Sequence, residues 1–470
     1  MLPDLIEIVP LNQPVQAEIT VPGSKSLTNR ALLLAALADG QAKLEGALWS
    51  EDTQVMVEAL RKLGFEIKVE ADPMEFCNRT ILVKGLGGKI PNAGTEEEPL
   101  EIFVGNAGTA ARFLSALVCL GHGVYHLHGV PRMHERPQAA LFRALRELGY
   151  RIESPNDRLP ARIYGAGART GKCSVSIAES SQFASGMLLC ARPGSWTVDV
   201  TGENAEESPY VAMTLKLIEA FPKTGGTFQV EPDASSGSYF CAAGWLLHHS
   251  EMSEACLDAA KKQISIEFQS NQFTNISVSR WPTSGWQIDA NIVNLFAGLG
   301  PQGAMQSGGT TLPAHPVRLT LPREISREDD LGDSIMTAAV LAPFMGQMIR
   351  LVDLGRLRLQ ETERVSALRT ELTKCGAKIV EKGDTLIILP SQRQLHGSEI
   401  ETYDDHRIAM CFAILGLKVP EIRIKNPACV KKTFPNFFQK LATKPPHGLG
   451  VEILDAKTGR ALGPEELFAS

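Results

Sequence analysis

A chain of 470 residues with 44 % apolar and 21 % charged content has the composition of an ordinary globular protein large enough for at least two domains. No stretch approaches the ~20 apolar residues of a membrane span, and the opening Met1-Leu2-Pro3-Asp4-Leu5 lacks a basic-then-apolar signal pattern, so a soluble cytoplasmic protein is expected. A net charge of −6 excludes a nucleic-acid footprint over the whole surface, so any anionic ligand must be held by a local cluster of positive charge.

In chain order, the first signal is Pro22-Gly23-Ser24-Lys25-Ser26-Leu27-Thr28-Asn29-Arg30. A glycine turn brings the backbone close to a ligand, Ser26 can cap a helix, and Lys25 and Arg30 place charge at its mouth. The spacing is not that of a Walker A loop. The apolar run 24–37 reads as a buried helix. Next, Leu60-Arg61-Lys62-Leu63-Gly64-Phe65-Glu66-Ile67 predicts an amphipathic helix ending in a left-handed glycine, then a strand. Gly105-Asn106-Ala107-Gly108-Thr109 opens a second apolar helix over 105–120, and Pro131-Arg132-Met133-His134-Glu135-Arg136-Pro137 sets two arginines in a proline-bounded turn. The helix–glycine–strand unit returns as Leu145-Arg146-Glu147-Leu148-Gly149-Tyr150-Arg151-Ile152.

Ser180-Ser181-Gln182 stands at the mouth of an apolar helix over 179–191, Ser208-Pro209-Tyr210 follows, and Asp233-Ala234-Ser235-Ser236 opens another over 233–247. Between about 250 and 316 the text turns polar and irregular, including a loop over 298–309, and reads as an enlarged or diverged unit. Gly332-Asp333-Ser334 opens the helix over 332–342, and Glu361-Thr362-Glu363-Arg364 precedes the third copy of the repeat, Leu372-Thr373-Lys374-Cys375-Gly376-Ala377-Lys378-Ile379. Asp404-Asp405-His406-Arg407 opens the last apolar helix, over 404–415, and Lys432-Thr433-Phe434-Pro435 follows it. The nine cysteines form no C-x-x-C pair and mostly sit in apolar runs, as reduced core thiols do.

With weaker echoes at Gly226, Gly300 and Gly450, the repeat glycines recur every 74 to 85 residues, which predicts six similar units. Any one of the six apolar helices taken alone is a capped core helix. Six with Ser, Thr, Asn, Asp or His at the mouth point instead to a set of N-termini whose free N–H groups suit bound anions.

In identity and order, the strings from Pro22, Gly105, Pro131, Ser180, Ser208, Asp233, Asp333, Glu361-Thr362-x-Arg364, Asp405-His406-Arg407 and Lys432 resemble the 5-enolpyruvylshikimate-3-phosphate synthase family. The resemblance implies an α/β fold of two similar domains, each of three βαβαββ repeats around buried helices, with the substrate cleft between them. One domain joins residues 1–21 to 241–470, with the diverged segment 250–316, and the other is 22–240. It also implies transfer of the enolpyruvyl group of phosphoenolpyruvate to the 5-hydroxyl of shikimate 3-phosphate, by addition–elimination through a tetrahedral intermediate. Neither metal nor cofactor, and no nucleic-acid or membrane partner, is expected, and the family suggests a monomer.

Carried onto this chain, the family's pattern gives phosphoenolpyruvate to Lys25, Asn106, Gly108, Arg132, Gln182, Arg364, Arg407 and Lys432. It gives shikimate 3-phosphate to Ser26, Arg30, Ser180, Ser181, Gln182, Ser208, Tyr210, Asp333, Arg356 and Gln360. Asp333 is the expected base for the attacking hydroxyl and Glu361 the group that protonates and later deprotonates the enol carbon. Lys25 assists the leaving phosphate and His406 orients by hydrogen bonding.

Two positions depart from the pattern. Gln360 stands where the family has a lysine that binds the cyclitol phosphate and target hydroxyl, and Arg356 stands where it has an asparagine. Arg356 is the expected source of the missing charge; a related acceptor or a poorly active homologue are the alternatives. Phe113 replaces a proline after the glycine-rich loop, with an effect expected on loop shape. The UDP-N-acetylglucosamine enolpyruvyl transferases are the nearest rivals, but they carry a reactive cysteine in a mobile loop, and the turn from Pro131 to Pro137 has none.

Overall fold

The computed structural model describes residues 2–202, 208–262, 274–297 and 322–469. Two separate hydrophobic cores organise them. One runs from Leu27 to Val230; the other takes Leu2 to Val21 and then Tyr239 to Ala469. The chain crosses between them twice, side by side, where the Ser24 N–H donates to the Glu231 carbonyl and the Asp233 N–H to that of Pro22, both at 2.8 Å.

The repeat is plainest over residues 100–166. Strand Leu100–Phe103 lies parallel to His122–His128 across the helix Gly108–Leu117, and Ala161–Ala166 then pairs antiparallel with both His122–His128 and Arg151–Glu153. The same order recurs in the second core, with Glu324–Ser326 beside Ile349–Val352, then Thr385–Leu389 and Lys378–Lys382. Two more four-stranded sheets borrow a strand from far along the chain. Gly226–Gln229 completes the sheet of Asp39–Leu48, and Leu5–Ile8 sits between Ile422–Lys425 and Ile453–Asp455. Two further pairs, Gly171–Ser176 with Trp196–Thr201 and Gln16–Ile19 with Asn275–Val278, are parallel.

The repeat glycines do what their position requires. Gly64, Gly149 and Gly376 follow the helices Glu51–Lys62, Ala139–Glu147 and Arg364–Lys374 with φ of +95°, +86° and +87°, a region in which a side chain would clash with its own backbone. Gly300 and the loop over 298–309 lie outside the described residues.

All six expected apolar helices form: Lys25–Leu37, Gly108–Leu117, Ser181–Gly194, Ala234–Lys262, Ile335–Leu341 and His406–Gly416. Every residue of Gly108–Leu117 and of His406–Gly416 is buried, which is why these sequences show no polar face. Two details differ from expectation. The helix that starts at Ala234 runs on through Lys262, so the irregular segment begins as helix. Ser24, not Ser26, holds the position that precedes the first helix, without a side-chain hydrogen bond to it, and Ser26 lies in the first turn and offers its carbonyl to the Arg30 guanidinium. No helix among the described residues is long and apolar enough to cross a membrane.

Candidate active site

The six buried helices point their N-terminal ends at one cleft between the two cores. Its lining takes Lys25, Thr109, Ser181, Ser235, Asp333 and Arg407 from the starts of those six helices. Aligned N-termini add partial positive charge to a lining that already holds eight lysine and arginine side chains against five carboxylates, in a protein whose net charge is −6. The open cavity is only about 110 Å³.

Arg364 is at the centre, with a side chain 1 % exposed. Its Nε donates to Asp405 Oδ2 at 2.7 Å and its Nη2 to Asp405 Oδ1 at 3.2 Å; the same Nη2 lies 2.8 Å from Glu361 Oε2. Nη1 lies 3.8 Å from Asp333 Oδ2 and donates to the Gln360 side-chain oxygen. Asp333 is bracketed further by Arg327 Nη2 at 3.0 Å and Arg407 Nη2 at 3.2 Å. Glu361 also meets Lys432 Nζ at 3.1 Å.

These contacts set the charge states. Burial opposes ionisation of Asp333, but Arg407, Arg327 and Arg364 outweigh it and hold the carboxyl well below the usual carboxylate range. Burial likewise opposes ionisation of Glu361, and Lys432, Arg364, Arg136 and Lys25 overcome it. A carboxyl whose pKa is lower folded than unfolded stabilises the fold fully above its unfolded pKa of ~4, and that stabilisation is lost as pH falls further. The melting temperature is therefore expected to fall steeply between about pH 4.5 and pH 2.5, and less steeply in Glu361→Gln; parallel pH profiles of the two proteins would exclude this linkage.

Thirteen of the expected residues line the cleft: Lys25, Ser26, Arg30, Ser180, Ser181, Gln182, Tyr210, Asp333, Arg356, Gln360, Glu361, Arg364 and Arg407. Lys25 pairs with Asp52 at 3.3 Å. Arg30 is fixed by Thr214 at 2.8 Å and Ser185 at 3.0 Å, with its guanidinium 5.3 Å from the Phe113 ring centre. Phe113 therefore props a site arginine from within a buried helix.

Three more expected residues tie the halves together. Lys432 Nζ donates to the Asn106 carbonyl at 3.2 Å, and Arg132 Nη2 to the Gln360 carbonyl at 3.1 Å. Ser208 is buried, and its hydroxyl has no hydrogen-bond partner among the described residues. His406 differs from expectation: its ring is buried behind the cleft lining and neither nitrogen makes a hydrogen bond among the described residues. Burial, reinforced by Arg407, drives its pKa well down, so it is neutral at physiological pH. Arg356 lines the same cleft as Gln360, and its ion pair is with Glu328 at 3.7 Å, not with the carboxylates at the centre.

Several site residues were not read from the sequence. Arg112 and Arg136 line the cleft, buried, with Arg112 Nε and Nη1 and Arg136 Nε lacking a partner among the described residues. Such orphaned donors are costly unless an acceptor reaches them. An arginine in the otherwise apolar helix Gly108–Leu117 was the available signal. Gln287 and Asp289 come from the irregular segment: Asp289 accepts from the Ser334 N–H at 2.6 Å and from the Ser235 hydroxyl at 2.9 Å, steadying the turn that carries Asp333. Nothing local in the sequence marks them.

Gly108 is required by space. A Cβ there would sit 2.6 Å from both Arg112 Nη1 and Arg136 Nη2. Gly108→Ala is expected to displace both guanidiniums and raise the KM for phosphoenolpyruvate about tenfold or more with a smaller change in kcat, the loss of one charge-assisted contact. Unchanged steady-state kinetics would mean that neither arginine touches substrate.

This geometry belongs to a recognisable class. The enolpyruvyl transferase NikO from Streptomyces tendae shares the fold at a TM-score of 0.62 and 15 % identity, over 97 % of this chain and 98 % of that one. EPSP synthase from Acinetobacter baumannii does so at 0.67 and 21 %, over 96 % and 99 %. The model of EPSP synthase (3-phosphoshikimate 1-carboxyvinyltransferase) matches residues 10–224 and 321–441. The 3-phosphoshikimate 1-carboxyvinyltransferase of Opitutus terrae is 35 % identical, covering 94 % of this chain and 98 % of that protein. The chain belongs to the EPSP synthase family.

Proposed function

We propose that this protein is a transferase that moves the enolpyruvyl group of phosphoenolpyruvate to the 5-hydroxyl of shikimate 3-phosphate and releases inorganic phosphate, acting as a cytoplasmic monomer. Residues 22–240 and 1–21 plus 241–470 serve as the two bodies that close on the substrates. The observation that carries the reading is the pair of carboxylates, Asp333 and Glu361, on either side of Arg364 in a cleft walled by cations from both cores.

Addition–elimination asks for two proton-handling groups and for positive charge on the departing phosphate. Asp333 takes the proton of the acceptor hydroxyl as its oxygen attacks C2 of phosphoenolpyruvate. Glu361 gives a proton to C3, which becomes a methyl group, and takes one back when the C2–O bond to phosphate breaks. Lys25 assists that departure. Both carboxyls are poor proton carriers while their cations hold them ionised. Phosphoenolpyruvate competes for Lys432, Arg364 and Arg407, so substrate binding itself raises both pKa values toward a useful range. Gln182, Arg132 and Asn106 belong to the donor side in this scheme, and Ser26, Arg30, Ser180, Ser181, Ser208 and Tyr210 to the acceptor side.

The test is phosphate release from phosphoenolpyruvate with and without shikimate 3-phosphate. Release that depends strictly on the acceptor is expected. Tight binding of both substrates without release would overturn the proposal.

A further inference from the structure

The lysine that the family pattern places at position 360 is glutamine here, yet the place it would occupy is not short of charge. Gln360 Nε2 reaches Asp333 Oδ1 at 3.5 Å, which locates position 360 against the acceptor-side carboxylate. The same oxygen accepts from Arg327 Nη2 at 3.0 Å. Arg327 is 5 % exposed, lines the cleft, and keeps a buried Nε–H that no acceptor among the described residues satisfies. A buried guanidinium with an unpaired N–H is held at a cost that a bound oxygen ligand would offset.

The turn carrying Arg327 is built to hold it inward. Ser326 anchors it on both sides: its hydroxyl donates to Asp353 at 2.6 Å and accepts from the N–H groups of Glu328 and Asp329 at 3.1 Å, while its own N–H donates to Asp330 at 2.8 Å. Arg356, the other candidate for the missing charge, lines the same cleft but pairs with Glu328 at 3.7 Å and makes no ion pair with Asp333 among the described residues. Position 360 also has a reason to be neutral. Its side-chain oxygen accepts from Arg364, and a lysine there would crowd a fourth cation against Arg327, Arg364 and Arg407.

We propose that Arg327 has taken over the cationic role of position 360, aiming Asp333 at the acceptor hydroxyl and supplying the positive charge that the hydroxyl needs as it loses its proton. In this chain the arginine comes from the turn after strand Glu324–Ser326, and position 360 is a neutral glutamine. The inference rests on the enolpyruvyl transfer proposed above.

Steady-state kinetics of the wild type, Arg327→Gln, Gln360→Lys and the double variant test it, with thermal melts to confirm folding and Arg327→Lys as a variant that keeps the charge. Arg327→Gln is expected to lower kcat about 100-fold, to leave the KM for phosphoenolpyruvate within about threefold, and to move the acidic limb of the kcat–pH profile upward as Asp333 loses a cation. Gln360→Lys alone lowers activity; in the Arg327→Gln background it restores kcat at least about tenfold, and Arg327→Lys falls between. A double variant no better than Arg327→Gln, or an Arg327→Gln protein with wild-type kcat and pH profile, overturns the inference while leaving the transfer reaction standing. A wild type without acceptor-dependent phosphate release overturns both.

Discussion

Asp333→Asn lowers kcat by about a thousandfold while the KM for either substrate changes by only a few-fold, if Asp333 removes the acceptor proton, because general-base contributions are of this size. The change is nearly isosteric and the surrounding contacts show what it does. An amide offers one oxygen to three guanidiniums that now share two, so Arg327, Arg364 and Arg407 lose part of their partner without losing their places. In the proposed scheme binding rests on those arginines and on the serines across the cleft, and is therefore largely kept. Stopped-flow binding of shikimate 3-phosphate alongside turnover separates the two effects. Wild-type kcat would remove Asp333 from proton transfer, and a matched loss of binding would make its role electrostatic support of the arginines.

Arg364→Leu produces the larger loss in binding and the only large loss of stability. Three carboxylates face this one side chain, and Asp405 among them is fully buried. Deleting the cation strands Asp405 in the interior, and breaking a buried pair from one side costs about 3–5 kcal/mol. Asp405 also accepts from the Arg407 N–H at 2.9 Å, capping the buried helix His406–Gly416, so disturbance there reaches the N-terminus that faces the cleft. Affinity for phosphoenolpyruvate falls by about 10- to 100-fold, one or two charge-assisted contacts. Calorimetric titration and a melting curve check both parts. A variant that melts with the wild type would mean Asp405 is protonated or solvated in a way this network does not describe.

The fold was legible in the sequence to the extent that it repeats. Gly64, Gly149 and Gly376 mark equivalent helix ends because only glycine accepts their positive φ cheaply, and the apolar helices announce themselves because they are buried all round. The borrowed strands were not legible: nothing local in Leu5–Ile8 says that it pairs with Ile422–Lys425, or in Gly226–Gln229 that it pairs with Asp39–Leu48. Pairing partners are chosen by closure of the sheet, a long-range condition.

The chemistry divides along the same line. By itself the sequence determined the inventory: an ordered set of helix-mouth motifs, a local cluster of basic residues in a mildly acidic chain, and the absence of lysine at position 360. The motifs and the basic cluster are properties of residue type and spacing; the missing lysine stands out only beside the family pattern that the chain resembles. Only the tertiary structure decided which charge answers which. It placed Arg327 and not Arg356 against Asp333, brought Asp289 out of an irregular segment to steady the Asp333 turn, and set the His406 ring behind the cleft wall without a hydrogen-bonding partner among the described residues. Electrostatic partnership falls off within a few ångströms and is strongest where water is excluded, so it is fixed by packing between segments far apart in the chain.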